Sequence, residues 1–202
     1  MNRVGFDSFN EIATLHVELQ DTDLPIWREV DVPTSITLRT LHEVIQAVMG
    51  WFDLHLWEFR MGEWRYGTTN EMGRQARKDA SKVRLRDVLK PGSTKFGYVY
   101  DFGDHWEHLL VFSDIRQGDP ESSYPRYVRG HRNAPPEDCG GMPGFHELLA
   151  ALADPIHPEH EDVKKWAGDY DPYQIDELTI EYALSRIARS RNGARARFRE
   201  RT

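Results

Sequence analysis

The densest run of side chains able to do chemistry is Tyr100 to His108, where Asp101, Asp104, His105, Glu107 and His108 surround Phe102, Gly103 and Trp106. Carboxylates and imidazoles this close together suit two tasks, holding a divalent metal or supplying an acid and a base for proton transfer. Asp104, His105 and His108, joined by Asp138 from further along the chain, make the candidate metal-ligand set. Strand geometry limits it: His105 and His108, three positions apart, point to opposite faces of a sheet unless the loop bends. The plainer reading is that Asp101 and Asp104 bind loop amides while Trp106 packs.

A second unusual stretch runs from Ala134 to Gly144 and contains Pro135, Pro136, Glu137, Asp138, Cys139, Gly140 and Gly141. The two prolines stiffen an extended entry, and the paired glycines open backbone angles closed to other residues. Pro143 suits the first turn of a helix. Amides around Gly140–Gly144 form the sort of nest that takes an anion, but Glu137 and Asp138 repel one and favour a cation or an arginine partner. Cys139 is a candidate nucleophile whose thiolate a helix start would stabilise and two neighbouring carboxylates would destabilise. A loop docked rigidly against the 100–108 segment accounts for the same residues without chemistry.

Other features weigh less. His157 and His160 have ligand-like spacing but fit a solvated helix cap. The tryptophans at 27, 51, 57, 64, 106 and 166 read as core and interface. Phosphate-loop, dinucleotide, nucleophile-elbow and zinc-helix motifs are all missing from the sequence.

The elements that must position these groups show in the periodicity. Ala13, Leu15, Val17 and Leu19 alternate with polar residues as a half-buried strand, and Ile26, Arg28, Val30 and Val32 repeat the pattern after a turn. Thr37 caps a helix carrying Leu38, Leu41, Ile45, Val48 and Met49, closed by Gly50. Strands follow around Gly62, then a polar, basic loop over 68–81 and a strand or short helix over 83–89. Phe96–Phe102 and Trp106–Phe112 flank a short Gly-containing loop, the mark of a hairpin. A Pro/Gly-rich excursion extends from Arg116 to Gly144. Helices over 145–153, 159–167 and from about Asp176 complete an α+β chain: a mixed or antiparallel sheet with hairpins, one helix after the second strand, and a helical C-terminal part.

At 202 residues, with 39% hydrophobic content and a net charge of −7, the chain suits one domain with a real core. One cysteine excludes an internal disulfide and fits a reducing compartment. No apolar run approaches the roughly 18 residues that span a bilayer, and the first residues lack signal-peptide order, so the expected location is the cytoplasm, away from membranes. Charge is uneven. Residues 72–100 carry eight Lys/Arg against two Asp/Glu, and 182–202 carry seven against one, on an otherwise acidic body. Arg74, Arg77, Lys78, Lys82, Arg84, Arg191, Arg195, Arg197 and Arg199 are the candidates for gripping nucleic-acid phosphates. The plainer alternative is a solubilising tail.

Several pieces in fixed order resemble the plasmid pRiA4b ORF-3-like family: Leu41-His42, Gly50-Trp51 with His55 to Phe59, Tyr100 to His108, Pro135 to Gly141 leading to Phe145, and Tyr170-Asp171-Pro172 with Ile175-Asp176. The resemblance covers about residues 12–185. It implies an α+β domain found in mobile elements and labelled resolvase-like in some members. The nucleophilic serine and DNA-reading helix that such a label requires are not evident. Members often carry a second cysteine before the Pro-Pro-Glu-Asp-Cys segment; its absence here counts against a two-thiol metal or redox site.

The expected organisation is a lead over 1–11, one domain over 12–188 and a flexible arginine-rich tail over 189–202. The preferred function is a non-catalytic binding or accessory module. Its cleft comprises Asp101, Asp104, His105, Trp106, Glu107, His108, Pro135, Pro136, Glu137, Asp138, Cys139, Gly140 and Gly141, and suits a basic peptide, a protein partner or a cation. The alternatives are a metal-assisted hydrolase using the same two segments with a divalent metal, and a DNA-associated accessory protein acting through the basic segments.

Overall fold

The computed structural model describes residues 9–68, 78–90 and 94–199, with side chains to residue 193. An eight-stranded sheet forms its centre: β1 (Glu11–Leu19), β2 (Ile26–Pro33), β3 (Trp57–Met61), β4 (Trp64–Gly67), β5 (Lys78–Asp79), β6 (Thr94–Tyr100), β7 (Trp106–Gln117) and β8 (Arg126–His131). Their spatial order is β5-β4-β3-β6-β7-β1-β2-β8, antiparallel throughout except for the parallel β4–β5 pair. The helices are α1 (Leu38–Met49), α2 (Leu85–Val88), α3 (Gly141–Ala153), α4 (His160–Ala167) and α5 (Glu177–Arg199). The class is α+β, and no helix among the described residues is long and apolar enough to cross a membrane.

Alternation dictates which face is buried. Ala13, Leu15, Val17 and Leu19 are all within the core, with Leu15 opposite Val30 on β2 and Phe112 on β7. Helix α1 lays Leu38, Leu41, Val44, Ile45 and Val48 into the same core. Each such side chain contributes on the order of 1.5–3 kcal/mol by leaving water. The α1 ends follow their chemistry: the Thr37 hydroxyl accepts from Thr40 N at 3.1 Å, and Gly50 closes the helix in the left-handed region. Helix α5 packs against α1 and β8.

Arg28 occupies the one charged position on the inward face of β2. Its guanidinium is buried and donates to the carbonyls of Val48, Trp27, His131 and Arg132 at 2.7–3.3 Å. Burial draws its pKa down to about 10, so it remains a cation satisfied by backbone dipoles.

The structure departs from the sequence reading in three places. The excursion after Arg116 contains β8, an edge strand paired with β2. Its residues are mostly exposed, so it lacks the apolar alternation that announces a strand. Helix α3 begins at Gly141, four residues before the apolar pattern, because Gly141 and Pro143 carry no amphipathic signal. Helix α5 continues to Arg199, replacing most of the flexible tail expected over 189–202. Alternating Ala and Arg after Gly193 are strong helix formers without an apolar stripe, so propensity builds a helix where periodicity shows none. Most of the basic 68–81 loop lies outside the described residues; its end forms β5 and a 3-10 turn, Ala80–Lys82.

Candidate functional site

Three segments converge at one end of the sheet: the loop over 50–56 after α1, the β6–β7 turn over 101–105, and the loop over 132–140 ahead of α3. The turn is built from Asp101 and His105, both with positive φ, while Gly103 N donates to Asp101 Oδ1 at 2.8 Å. Asp104 then reaches the third segment, its Oδ2 accepting from Gly140 N at 3.2 Å. Gly141 lies so close that a Cβ there would sit 2.8 Å from the Asp104 carbonyl, and its φ is +67°. Gly141 is therefore required by close approach as well as by conformation, and Gly140, with φ +90°, by conformation alone.

Tyr100, the last residue of β6, ties all three together. Its hydroxyl donates to Glu137 Oε1 and accepts from Leu54 N at 3.0 Å, with His55 N at 3.4 Å. The other Glu137 oxygen accepts from Phe52 N at 2.9 Å. Burial and the adjoining carboxylate raise the Tyr100 pKa above its ordinary range, so the phenol keeps its proton. Trp51 stacks on Tyr100 with ring centroids 5.0 Å apart, and its indole N–H donates to Pro135 O at 2.9 Å. Behind it, His42 lies between the Tyr98 hydroxyl and Asp53 Oδ1, each at 2.8 Å, stacked on Trp57. Burial holds the His42 imidazole below its usual range against the pull of Asp53.

The candidate residues separate into distinct environments. Asp101, Asp104, Glu137, Asp138, Gly140 and Gly141 meet at the junction, with Pro135 and Pro136 forming the entry to it. His105 is exposed on the turn, 3.8 Å from Glu107, which in turn lies 3.5 Å from Arg60. Trp106 and His108 face the core. His108 bonds the Trp106 carbonyl through Nδ1 at 3.0 Å, its Nε2 has no partner, and burial draws its pKa down to about 4. The set Asp104, His105, His108 and Asp138 therefore does not converge; the inward and outward aim of the two histidines separates it. Cys139 is half-buried, and desolvation with Asp104 and Asp138 pushes its thiol up to about 12, far from a nucleophile's range.

The residue that sequence reasoning left out of the site is His55. One donor atom each of His55, Asp101 and Asp138 lie within 4.8 Å of one another. No local signal marks it: Phe52, Asp53, Leu54 and Leu56 are exposed, and His55 is half-buried among them.

Beside the junction, between α3 and α4, runs a groove of about 390 Å³. Asp138, Glu147, Glu159 and Asp162 line it together with Cys139, Gly144, Leu148, Val163 and Trp166. None of the described residues lining it is basic; Lys164 and Lys165 of α4 lie outside the lining.

The decisive comparison is that the family model described as plasmid pRiA4b ORF-3-like protein matches residues 11–179. The chain belongs to this family. It is 39% identical over 182 residues to the uncharacterized protein y4hQ of Sinorhizobium fredii, covering 88% of this chain and 92% of that one. Its fold is shared with the crystal structure of a protein of unknown function, MM3350, from Methanosarcina mazei Go1, at a TM-score of 0.78 and 34% identity. That match covers 83% of this chain and 96% of the other.

In this pRiA4b ORF-3-like chain four of the basic candidates lie among the residues whose side chains are described: Lys78, Lys82, Arg84 and Arg191. Arg74 and Arg77 lie outside the described residues, as do the side chains of Arg195, Arg197 and Arg199. Lys78 sits over the Trp64 ring at 3.2 Å, and Lys82 is 3.5 Å from Asp79. Arg84 donates to Ser35 O at 2.8 Å, and Arg191 to Ser35 Oγ at 3.2 Å.

Proposed function

We propose that the chain is a binding or accessory module that captures a basic segment of a partner protein in the α3–α4 groove. The observation that carries this reading is the lining itself: four carboxylates with Leu148, Val163 and Trp166, and no basic residue. A lysine or arginine side chain matches both halves, its methylene stem against the apolar residues and its charge over Trp166 and the acids. Complementary charge of this kind steers association and selects partners. Exposed Phe52 and Leu54, which precede His55 in the 50–56 loop, offer apolar anchors for a larger footprint.

Binding suits the neighbourhood better than catalysis. Cys139 holds its proton, His108 faces the core, and Tyr100 and Glu137 are committed to each other. Phosphate gripping has less support, since the described basic candidates already have partners within the protein. A plasmid is the setting that the family description suggests for such a partner.

The test uses two fluorescent peptides, one alternating Arg and Leu and one alternating Glu and Leu, titrated with the protein at low salt. The arginine peptide should bind and the glutamate peptide should not. Reversing two exposed charges with Glu159→Lys, at the N-cap of α4, and Asp162→Lys, in its first turn, should weaken binding at least about tenfold while leaving circular dichroism unchanged. Equal binding of the arginine peptide by the variant would overturn the reading.

A further inference from the structure

We infer that His55, Asp101 and Asp138 form a site for a divalent transition cation of the zinc class, which shares Asp138 with the edge of the groove but does not depend on peptide capture there. The three residues come from three segments and bring one donor atom each within 4.8 Å of the others. His55 Nε2, the nitrogen that would take the cation, lies 2.9 Å from Asp138 Oδ1, while Asp101 Oδ2 lies 3.7 Å from the other ring nitrogen, Nδ1. The Nε2 atom is buried, yet it makes no hydrogen bond, because the Asp138 oxygen is off the line that an N–H would take. A cation bonded at about 2.0–2.2 Å to Nε2 would occupy the direction in which this nitrogen has no acceptor.

The surroundings orient the donors. Asp101 Oδ1 is occupied by Gly103 N, which leaves Oδ2 turned toward His55. The backbone of His55 is held on the Tyr100 hydroxyl, which is bonded to Glu137, the neighbour of Asp138. Outer partners of this type fix ligand orientation and tune affinity. Asp101 is nearly buried while the Asp138 side chain is 63% exposed, so the site has an inner wall and an open side for water ligands. Two carboxylates balance the charge of a dication. The imidazole nitrogen favours zinc or its first-row neighbours over magnesium and calcium, which take oxygen donors.

The test is calorimetric titration of the full chain, stripped with a chelator, with Zn²⁺ and separately with Mg²⁺. One equivalent of Zn²⁺ should bind, at least about tenfold more tightly than Mg²⁺. His55→Gln and Asp138→Asn should each weaken Zn²⁺ by about tenfold or more; Asn tolerates the positive φ at 138, which keeps one variant folded. No saturable binding, equal Mg²⁺ affinity, or unchanged Zn²⁺ affinity in both variants would overturn the site. The Glu159→Lys, Asp162→Lys protein should still bind Zn²⁺, so failure of peptide capture and failure of metal binding are read separately.

Discussion

The Tyr100 hydroxyl donates to the carboxylate of Glu137, 37 residues further along the chain, and accepts from the Leu54 and His55 backbone on its other side. One phenol thus closes the hairpin end, the loop after α1 and the loop ahead of α3 into a single junction. Neither partner is free to act as an acid or base without opening it.

Removing that phenol should cost more than one hydrogen bond. Tyr100→Phe leaves Glu137 and two backbone amides short of a partner, and each buried unsatisfied group costs about 1–3 kcal/mol. Glu137→Gln should cost less, since its amide oxygen can still accept from Phe52 N. Urea unfolding of both single variants and the double variant should show non-additivity of at least about 0.5 kcal/mol. Strict additivity would mean that the two residues do not act as a pair.

Gly141→Ala and Gly62→Ala form a matched comparison. Both glycines have positive φ, +67° and +57°, but a Cβ meets the Asp104 carbonyl at 2.8 Å in the first case and nothing within 4 Å in the second. Gly62→Ala should lose about 1 kcal/mol from backbone strain alone. Gly141→Ala should lose clearly more, because the turn and the loop must part. Equal midpoints in urea would show that the close approach has no energetic consequence.

His108 predicts a particular response to acid. Its folded pKa of about 4 lies below the unfolded value of 6.5, so the unfolded chain takes the proton first. Its share of stability is complete above pH about 6.5, falls as pH drops through that value, and is gone near pH 4; the interval corresponds to about 3 kcal/mol. Carboxylates such as Asp53, held below their usual range by partners, lose stability in acid as well and are common to any variant. The difference between the wild-type chain and His108→Gln therefore isolates the histidine. Unfolding free energies of the two proteins should converge between pH 7 and pH 4; parallel curves would contradict a buried neutral His108.

Elements whose burial alternates were legible in the sequence. Ala13 to Leu19, the α1 stripe and the β6–β7 hairpin each put their apolar residues on one face, and each lies where its period places it. β8 was not, because an edge strand with Arg126, Arg129 and Gly130 is held by backbone pairing to β2 rather than by an apolar face. The end of α5 was hidden for a related reason: Arg and Ala favour a helix without marking a buried side. Chemical crowding around Asp101 and Glu137 pointed to the junction, but the ligand geometry depended on long-range approach. Nothing in local spacing says that His55 turns toward Asp101 and Asp138 while the neighbouring Phe52 and Leu54 face water.

The carbonyls that hold the Arg28 guanidinium have one more consequence. Val48 belongs to the last turn of α1, two residues before the chain enters the 50–56 loop, and His131 and Arg132 stand where β8 gives way to the 132–140 loop. Both runs of backbone that reach the junction from the helix and from the outer strand thus spring from a common pivot on β2. A disturbance at this distant cation would arrive on two flanks together, gearing the far margin of the sheet to the place where Tyr100 and Glu137 meet.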